Sequence, residues 1–183
     1  MKKILCISVL FLTACASGFS TGGSRENSSQ YFVVESPEKW VKLNTNKYLI
    51  FTRERAFEQY ILIQQRPVDR PFKHTKRTFN KEMLPQEAAE VIIDEIMSDR
   101  VVLNFKVIEN APAMVNQYDG FRVVFTYKNK EGLEFKTIYY GFLRGDWFYS
   151  LRYNADENHY SENDVQTFER VLKSFQIDVS KSA

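Results

Sequence analysis

The sequence predicts an α+β fold, an antiparallel sheet covered by helices, and three observations predict it. Hydrophobic spacing runs in the order strands, helix, strands, helix along the 183 residues, rather than as alternating βα units. Between residues 121 and 153, three alternating segments are separated by turn residues, the pattern of an antiparallel meander. Two stripes at helical spacing, behind Pro85 and behind Ser161, supply the covering helices.

Taken in order, Tyr31-Phe32-Val33-Val34 is a short apolar run closed by Ser36-Pro37. Trp40 to Leu43 alternates, Asn44-Thr45-Asn46 turns the chain, and Tyr48 to Thr52 resumes the strand. Phe57 to Gln65 is another strand with Ile61 and Ile63 on one face, and residues 66–81 form a polar, basic connection. Pro85 suits the first helical turn, where its missing N–H removes no bond. Behind it Ala89, Ile92, Ile93 and Ile96 share one face to about Asp99, while Glu87, Glu90, Asp94 and Glu95 make a solvated face. Strand signals return at Val102 to Glu109 and again at Ala113 to Gln117. Phe121, Val123, Phe125 and Tyr127 then alternate, Asn129 to Gly132 turn, and Glu134 to Leu143 form the second arm. Arg144-Gly145-Asp146 turn again before Trp147, Tyr149, Leu151 and Tyr153. Both parities of residues 138–142 carry aromatics or Ile, so a sheet with two covered faces is expected. Ser161 and Asp164 have capping-box spacing, and Val165, Phe168, Leu172 and Phe175 form the stripe of the last helix.

Composition excludes several classes. A 26% charged fraction with 15 Phe and 10 Tyr is not that of a disordered chain. A net charge of +2 does not fit a generally cationic nucleic-acid binder, so no nucleic acid is expected as a partner. Two cysteines build neither a disulfide framework nor a cysteine-based zinc site.

Lys2 and Lys3 precede the apolar run Ile4 to Leu12, about half of the ~20 residues a membrane-spanning helix needs. The tetrapeptide that follows, Leu12-Thr13-Ala14-Cys15, resembles the lipobox of bacterial lipoproteins. The resemblance implies that residues 1–14 are a removed signal peptide and that the Cys15 thiol carries diacylglycerol, with a further N-acyl chain. Ala16 in place of Asp implies outer-membrane delivery, facing the periplasm, in a Gram-negative envelope. Lys2 and Lys3 leave with the signal peptide, so 23 of the 25 basic residues remain against 23 acidic ones. Residues 15–30 read as lipidated cysteine and flexible tether, with an end-to-end distance of roughly 20 Å. Residues 31–178 read as one domain and 179–183 as a tail.

Within the domain, Gly120-Phe121-Arg122-Val123, Tyr139-Tyr140-Gly141, Trp147-Phe148-Tyr149-Ser150-Leu151 and the closing Phe168-Glu169-Arg170-Val171-Leu172-Lys173-Ser174-Phe175 together resemble the PsbP-like superfamily. That superfamily includes DcrB-like bacterial lipoproteins. The resemblance implies an α/β/α sandwich that docks on partners without performing chemistry, and it carries over no catalytic residue.

The sequence offers little catalytic machinery to set against that. Gly120, Gly132, Gly141 and Gly145 lie at or between strands and make no phosphate-cradling loop. No nucleophile elbow of the G-x-S-x-G type is present. His74 and His159 lie 85 positions apart and are expected in solvated connections rather than in a metal or general-base site. Arg144-Gly145-Asp146 matches an integrin-recognition tripeptide, yet a hairpin turn explains it. No cofactor is expected beyond the covalent lipid on Cys15.

The basic connection is the remaining candidate. Arg66, Arg70, Lys73, Lys76, Arg77 and Lys81 face one acid, Asp69, with Phe72 and Phe79 interleaved. Such a segment could lie on an anionic lipid surface, where each cation contributes ~1 kcal/mol, or dock an acidic protein. It could also simply offset the acidic helix after it. The expected function is a membrane-anchored, non-catalytic envelope lipoprotein that binds or supports the assembly of an envelope protein partner. A carrier of a lipid or small apolar ligand, and an envelope hydrolase, are the alternatives.

Overall fold

The described residues, 25–27, 31–44, 48–53 and 57–178 of a computed structural model, contain ten strands and two helices. In chain order these are β1 (Arg25–Asn27), β2 (Phe32–Glu35), β3 (Val41–Asn44), β4 (Tyr48–Thr52), β5 (Gln59–Pro67), α1 (Pro85–Met97), β6 (Leu103–Val115), β7 (Tyr118–Lys128), β8 (Glu134–Arg144), β9 (Trp147–Asp156), α2 (Glu162–Ser174) and β10 (Gln176–Ile177). Seven of the strands pair in the order β3-β4-β5-β9-β8-β7-β6, every pair antiparallel. β1, β2 and β10 form a small second sheet. The α+β expectation holds. Residues 1–14, read as a signal peptide, Cys15, most of the stretch read as tether, residues 45 and 46 of the expected turn and the stretch 179–183 read as a tail lie outside the described residues.

Period-2 alternation explains why the large sheet is covered on both sides. Ile138, Tyr140 and Phe142 of β8 face one way with Tyr149, Leu151 and Tyr153 of β9. Against them pack Phe168, Val171 and Leu172 of α2, with Phe175 and, from β2, Phe32 and Val34. Phe121, Val123 and Phe125 of β7 and Tyr139 of β8 face the other way, onto Ala88, Ala89, Ile92 and Ile93 of α1. Each fully buried Leu, Ile or Phe contributes about 1.5–3 kcal/mol, so two such layers supply a core without disulfides.

Both helices begin as their sequences direct. At α1, Pro85 occupies the first turn and the Glu87 carboxylate accepts from the Leu84 N–H at 2.8 Å. At α2, Ser161 Oγ accepts from the Asp164 N–H at 3.2 Å. Asp164 does not complete the reciprocal capping box, because its buried carboxylate points into the fold. It accepts from the Ser161 hydroxyl at 2.5 Å and from Gln59 Nε2 at 3.0 Å, and pairs with Arg53 at 3.1 Å. The same Gln59 amide reaches the Tyr153 hydroxyl at 2.9 Å. This network ties the start of α2 to β5 and β9.

Three sequence boundaries move. The segments expected at 102–109 and 113–117 are one edge strand, β6, whose register shifts near Lys106 and Glu109 break the alternation. Pro112 sits inside it, tolerated because the strand is at the sheet edge. β5 continues to Pro67, so Arg66 belongs to the strand and not to the connection. Arg25–Asn27, inside the stretch read as tether, pairs with β2 as β1.

Candidate functional site

Residues 68–84, between β5 and α1, form an irregular flap pegged down by its apolar members. Val68, Phe72 and Phe79 are buried. The Phe79 ring lies 4.3 Å from that of Phe148 on β9 and 5.1 Å from that of Phe72. Backbone bonds close it: Phe72 N–H to Arg77 O at 2.8 Å, and Phe79 N–H to Val68 O at 2.9 Å. Val68 N–H reaches Asp146 O at 3.0 Å, and Gly145, with φ +58°, gives that hairpin its turn. The Arg-Gly-Asp tripeptide is thus a structural turn that seats the flap.

The acidic helix face is not uniformly solvated, as the sequence led one to expect. Glu95 is partly buried and accepts from the backbone N–H of His74 at 3.0 Å and of Thr75 at 2.9 Å, and from the Thr75 hydroxyl at 2.9 Å. Burial alone would raise its pKa, but the Thr75 and His74 hydrogen bonds and the nearby imidazole outweigh this and hold it below the ordinary glutamate value. Glu95 is therefore a clamp on the flap.

Of the six cations singled out in the sequence, two are engaged in ion pairs. Arg77 pairs with Asp94 of α1, as a charge-offsetting role predicts, and Lys81 pairs with Asp146. Both pairs are solvent-exposed and contribute little. Arg70, Lys73 and Lys76 are exposed. Arg66, half-buried on β5, lies over Phe72 with its Cζ 3.6 Å from the ring centroid and donates to the Arg70 carbonyl. Burial, then the neighbouring Arg70 charge, lower its pKa from the ordinary value, partly countered by Tyr139 and Glu95.

Under the flap runs a groove with two lobes. The outer lobe, about 480 Å³, is bordered by Tyr48, Gln64, Arg66, Arg70, Lys73 and Lys76. The inner lobe, about 280 Å³, lies between α1 and the sheet, with Arg152, Asn154 and Thr137 on the sheet side and Ile96 and Val102 opposite. Lys73 and Glu95 border both. His74 lines the inner lobe beside Asp99, 3.4 Å away, rather than lying in a solvated connection.

Arg152 is the residue that sequence reasoning missed. Its signal lay in the other parity of β9, where Ser150, Arg152 and Asn154 put a polar row on a face that a sandwich should cover with apolar groups. Asn154 Oδ1 accepts from Thr137 Oγ1 at 2.7 Å and from the Tyr127 hydroxyl at 3.2 Å. Tyr127 is pushed up to about 12, mainly by burial. Tyr139, fully inside, bonds Ser150 and lies within electrostatic range of both Arg152 and Arg66; burial raises its pKa.

His159 is also bonded rather than free in solvent. Its Nδ1 lies 2.7 Å from Asp156 Oδ1, which also accepts from the backbone N–H of Asn158 and of His159. Glu58, Asp156 and His159 bring one ligand atom each within 4.8 Å of one another. Through Oδ1 the Asp156 carboxylate closes the turn after β9. Among the described residues no helix is long and apolar enough to cross a membrane.

No protein-family model matches this sequence, and no curated protein matches it. Solved structures do match the fold. Cyanobacterial PsbP (CyanoP) from Synechocystis sp. PCC 6803 superposes with a TM-score of 0.57 at 10% identity, over 91% of this chain and 98% of its own. LpqN, described as involved in cell envelope biogenesis of Mycobacterium tuberculosis, gives 0.52 at 9% identity, over 80% and 82%. A protein from Bacteroides thetaiotaomicron gives 0.55 at 10% identity over 86% of this chain, which spans about half, 49%, of that one. A mutant of Mog1 also matches. At such identities the likeness is one of fold: the chain is an α+β sandwich of the Mog1/PsbP kind.

Proposed function

We propose that this protein is a non-catalytic binding module of the bacterial cell envelope, held to a membrane by acyl chains on Cys15. It supports assembly by docking an envelope partner on the flap side of the sandwich. The observation that carries the reading is the flap itself: Arg70, Lys73 and Lys76 stand exposed on a segment that Phe72, Phe79 and the Glu95 clamp fix in place. Cations on a pre-ordered mount lose little entropy when they meet an anionic surface, which favours recognition.

The envelope location draws support from the order Lys2-Lys3, apolar run, small residues, Cys15, and from the fold shared with LpqN. The non-catalytic reading draws support from how the acidic side chains are used. Glu95 clamps the flap, Asp156 closes a turn and Asp164 anchors α2. The anchor is tested by Cys15→Ala, which is expected to move the protein from the membrane to the soluble fraction with its thermal unfolding unchanged. Continued membrane attachment of that variant contradicts the lipid assignment. The inner lobe favours a second reading, a ligand carrier, since a space of about 280 Å³ opens between helix and sheet.

A further inference from the structure

A half-buried guanidinium normally meets a carboxylate, and two in this molecule do not. Arg66 and Arg152 each keep an Nε that is sealed from solvent with no hydrogen-bond partner among the described residues. Neither forms an ion pair with a described acid; both are held by rings, Arg66 on Phe72 and Arg152 5.3 Å from Tyr60. A buried donor left unmade is a standing cost, and a charged one more so.

Strand register puts the two on one face. Arg66 of β5 is opposite Phe148, and Arg152 of β9 is opposite Leu62, so they stand about 13 Å apart along the strands. Between them lie the paired Gln64 and Ser150, with the Tyr139 hydroxyl bonded to Ser150. Lys73 overhangs from the flap and borders both lobes. The two acids of the groove are spoken for: Glu95 by the flap backbone, Asp99 by His74. What remains is a row of donors in which Arg66, Arg70, Lys73, Lys76 and Arg152 outnumber the two carboxylates, and in which neither guanidinium Nε has an acceptor among the described residues.

We infer that this groove is a recognition site for a phosphate-bearing molecule, whose phosphate oxygens accept from Arg152 and Arg66 with Lys73 closing over them. A guanidinium presents a planar fork of donors that matches phosphate oxygens, and a dianion balances this charge better than one carboxylate does. The apolar side of the inner lobe, Ile96 and Val102, suits a hydrophobic or sugar-ring portion of the same molecule. Phosphate is also the chemistry of an envelope surface, so the inference rests on the flap side being the working face and names what that face reads.

The test is calorimetric titration of the chain carrying Cys15→Ala, which removes the acyl anchor, with inorganic pyrophosphate, then with glycerol phosphate, and sedimentation with vesicles of phosphatidylcholine containing phosphatidylglycerol, scored against pure phosphatidylcholine vesicles. Saturable pyrophosphate binding is expected, weakened roughly 10- to 100-fold by Arg152→Gln and by Arg66→Gln. Lys73→Gln, exposed and safe for folding, is expected to weaken it about 3-fold, and Lys130→Gln on the distant hairpin not at all. Glycerol phosphate binding without vesicle binding identifies a free phosphorylated metabolite, and the reverse a lipid headgroup; both support the site. Absence of saturable binding, or binding indifferent to both Arg152→Gln and Lys73→Gln, overturns it. If it is overturned while the flap still crosslinks to a protein partner, the docking reading survives alone.

Discussion

Phe79→Ala removes the peg that seats the flap, and its effect can be worked from the structure. The ring is buried, 4.3 Å from Phe148 and 5.1 Å from Phe72, and truncating such a side chain costs about 3–5 kcal/mol when its surroundings stay in place. The flap, however, can leave the sheet without unfolding it. The global loss is therefore bounded by the free energy of peeling the flap, which the Glu95 bonds and two exposed ion pairs only partly sustain once Phe79 is gone. Urea unfolding reports the global loss, and amide exchange at Phe72 and Phe79, whose N–H groups bond Arg77 and Val68, reports the local one. Flap protection is expected to fall by roughly two to three orders of magnitude, with the exchange of β8 and β9 changing only by the global loss. If the flap amides keep their protection while the central strands lose theirs, Phe79 is ordinary core and the flap is not a separate unit.

Two further outcomes follow from the same coordinates. Gly120→Ala puts a Cβ 2.4 Å from the Gly141 carbonyl oxygen and 2.9 Å from Phe142 Cβ, a clash of β7 with the backbone of β8. It is expected to cost about 1–3 kcal/mol or more, seen as a lower urea midpoint; an unchanged midpoint contradicts the packing. Glu95 is held below its ordinary pKa, so its contribution is present above the ordinary glutamate value and is lost as pH falls through the lowered one. Exchange of the His74 and Thr75 amides is therefore expected to accelerate, beyond its intrinsic pH dependence, on acidification below the glutamate range. Glu95→Gln should abolish that acid response.

Where one residue decides an element, the sequence was readable. Pro85 marks the start of α1, Ser161 caps α2, and the double-sided apolar content of residues 138–142 demands a sheet covered on both faces. The edge strand β6 was split in two because its register shifts erase period 2, a signal that exists only between strands. The groove was half legible. Arg66 to Lys81 stood out as a charge run, yet composition does not tell Arg77, paired with α1, from Lys73, which overhangs a cavity. Arg152 was hidden in a strand identified by its other face. Glu95 looked like one more solvated acid because its partners are backbone N–H groups 20 residues away, which no side-chain pattern encodes.

The account turns on which side of the sandwich is used. A photocrosslinking residue placed at Lys76 on the flap, and separately at Lys173 on the exposed side of α2, reports this in the cells that make the protein. The account predicts a discrete adduct with an envelope component from position 76, none from 173, and its loss when Arg70 and Lys73 are changed to Glu. An adduct from 173 with none from 76, or one indifferent to those charges, contradicts it.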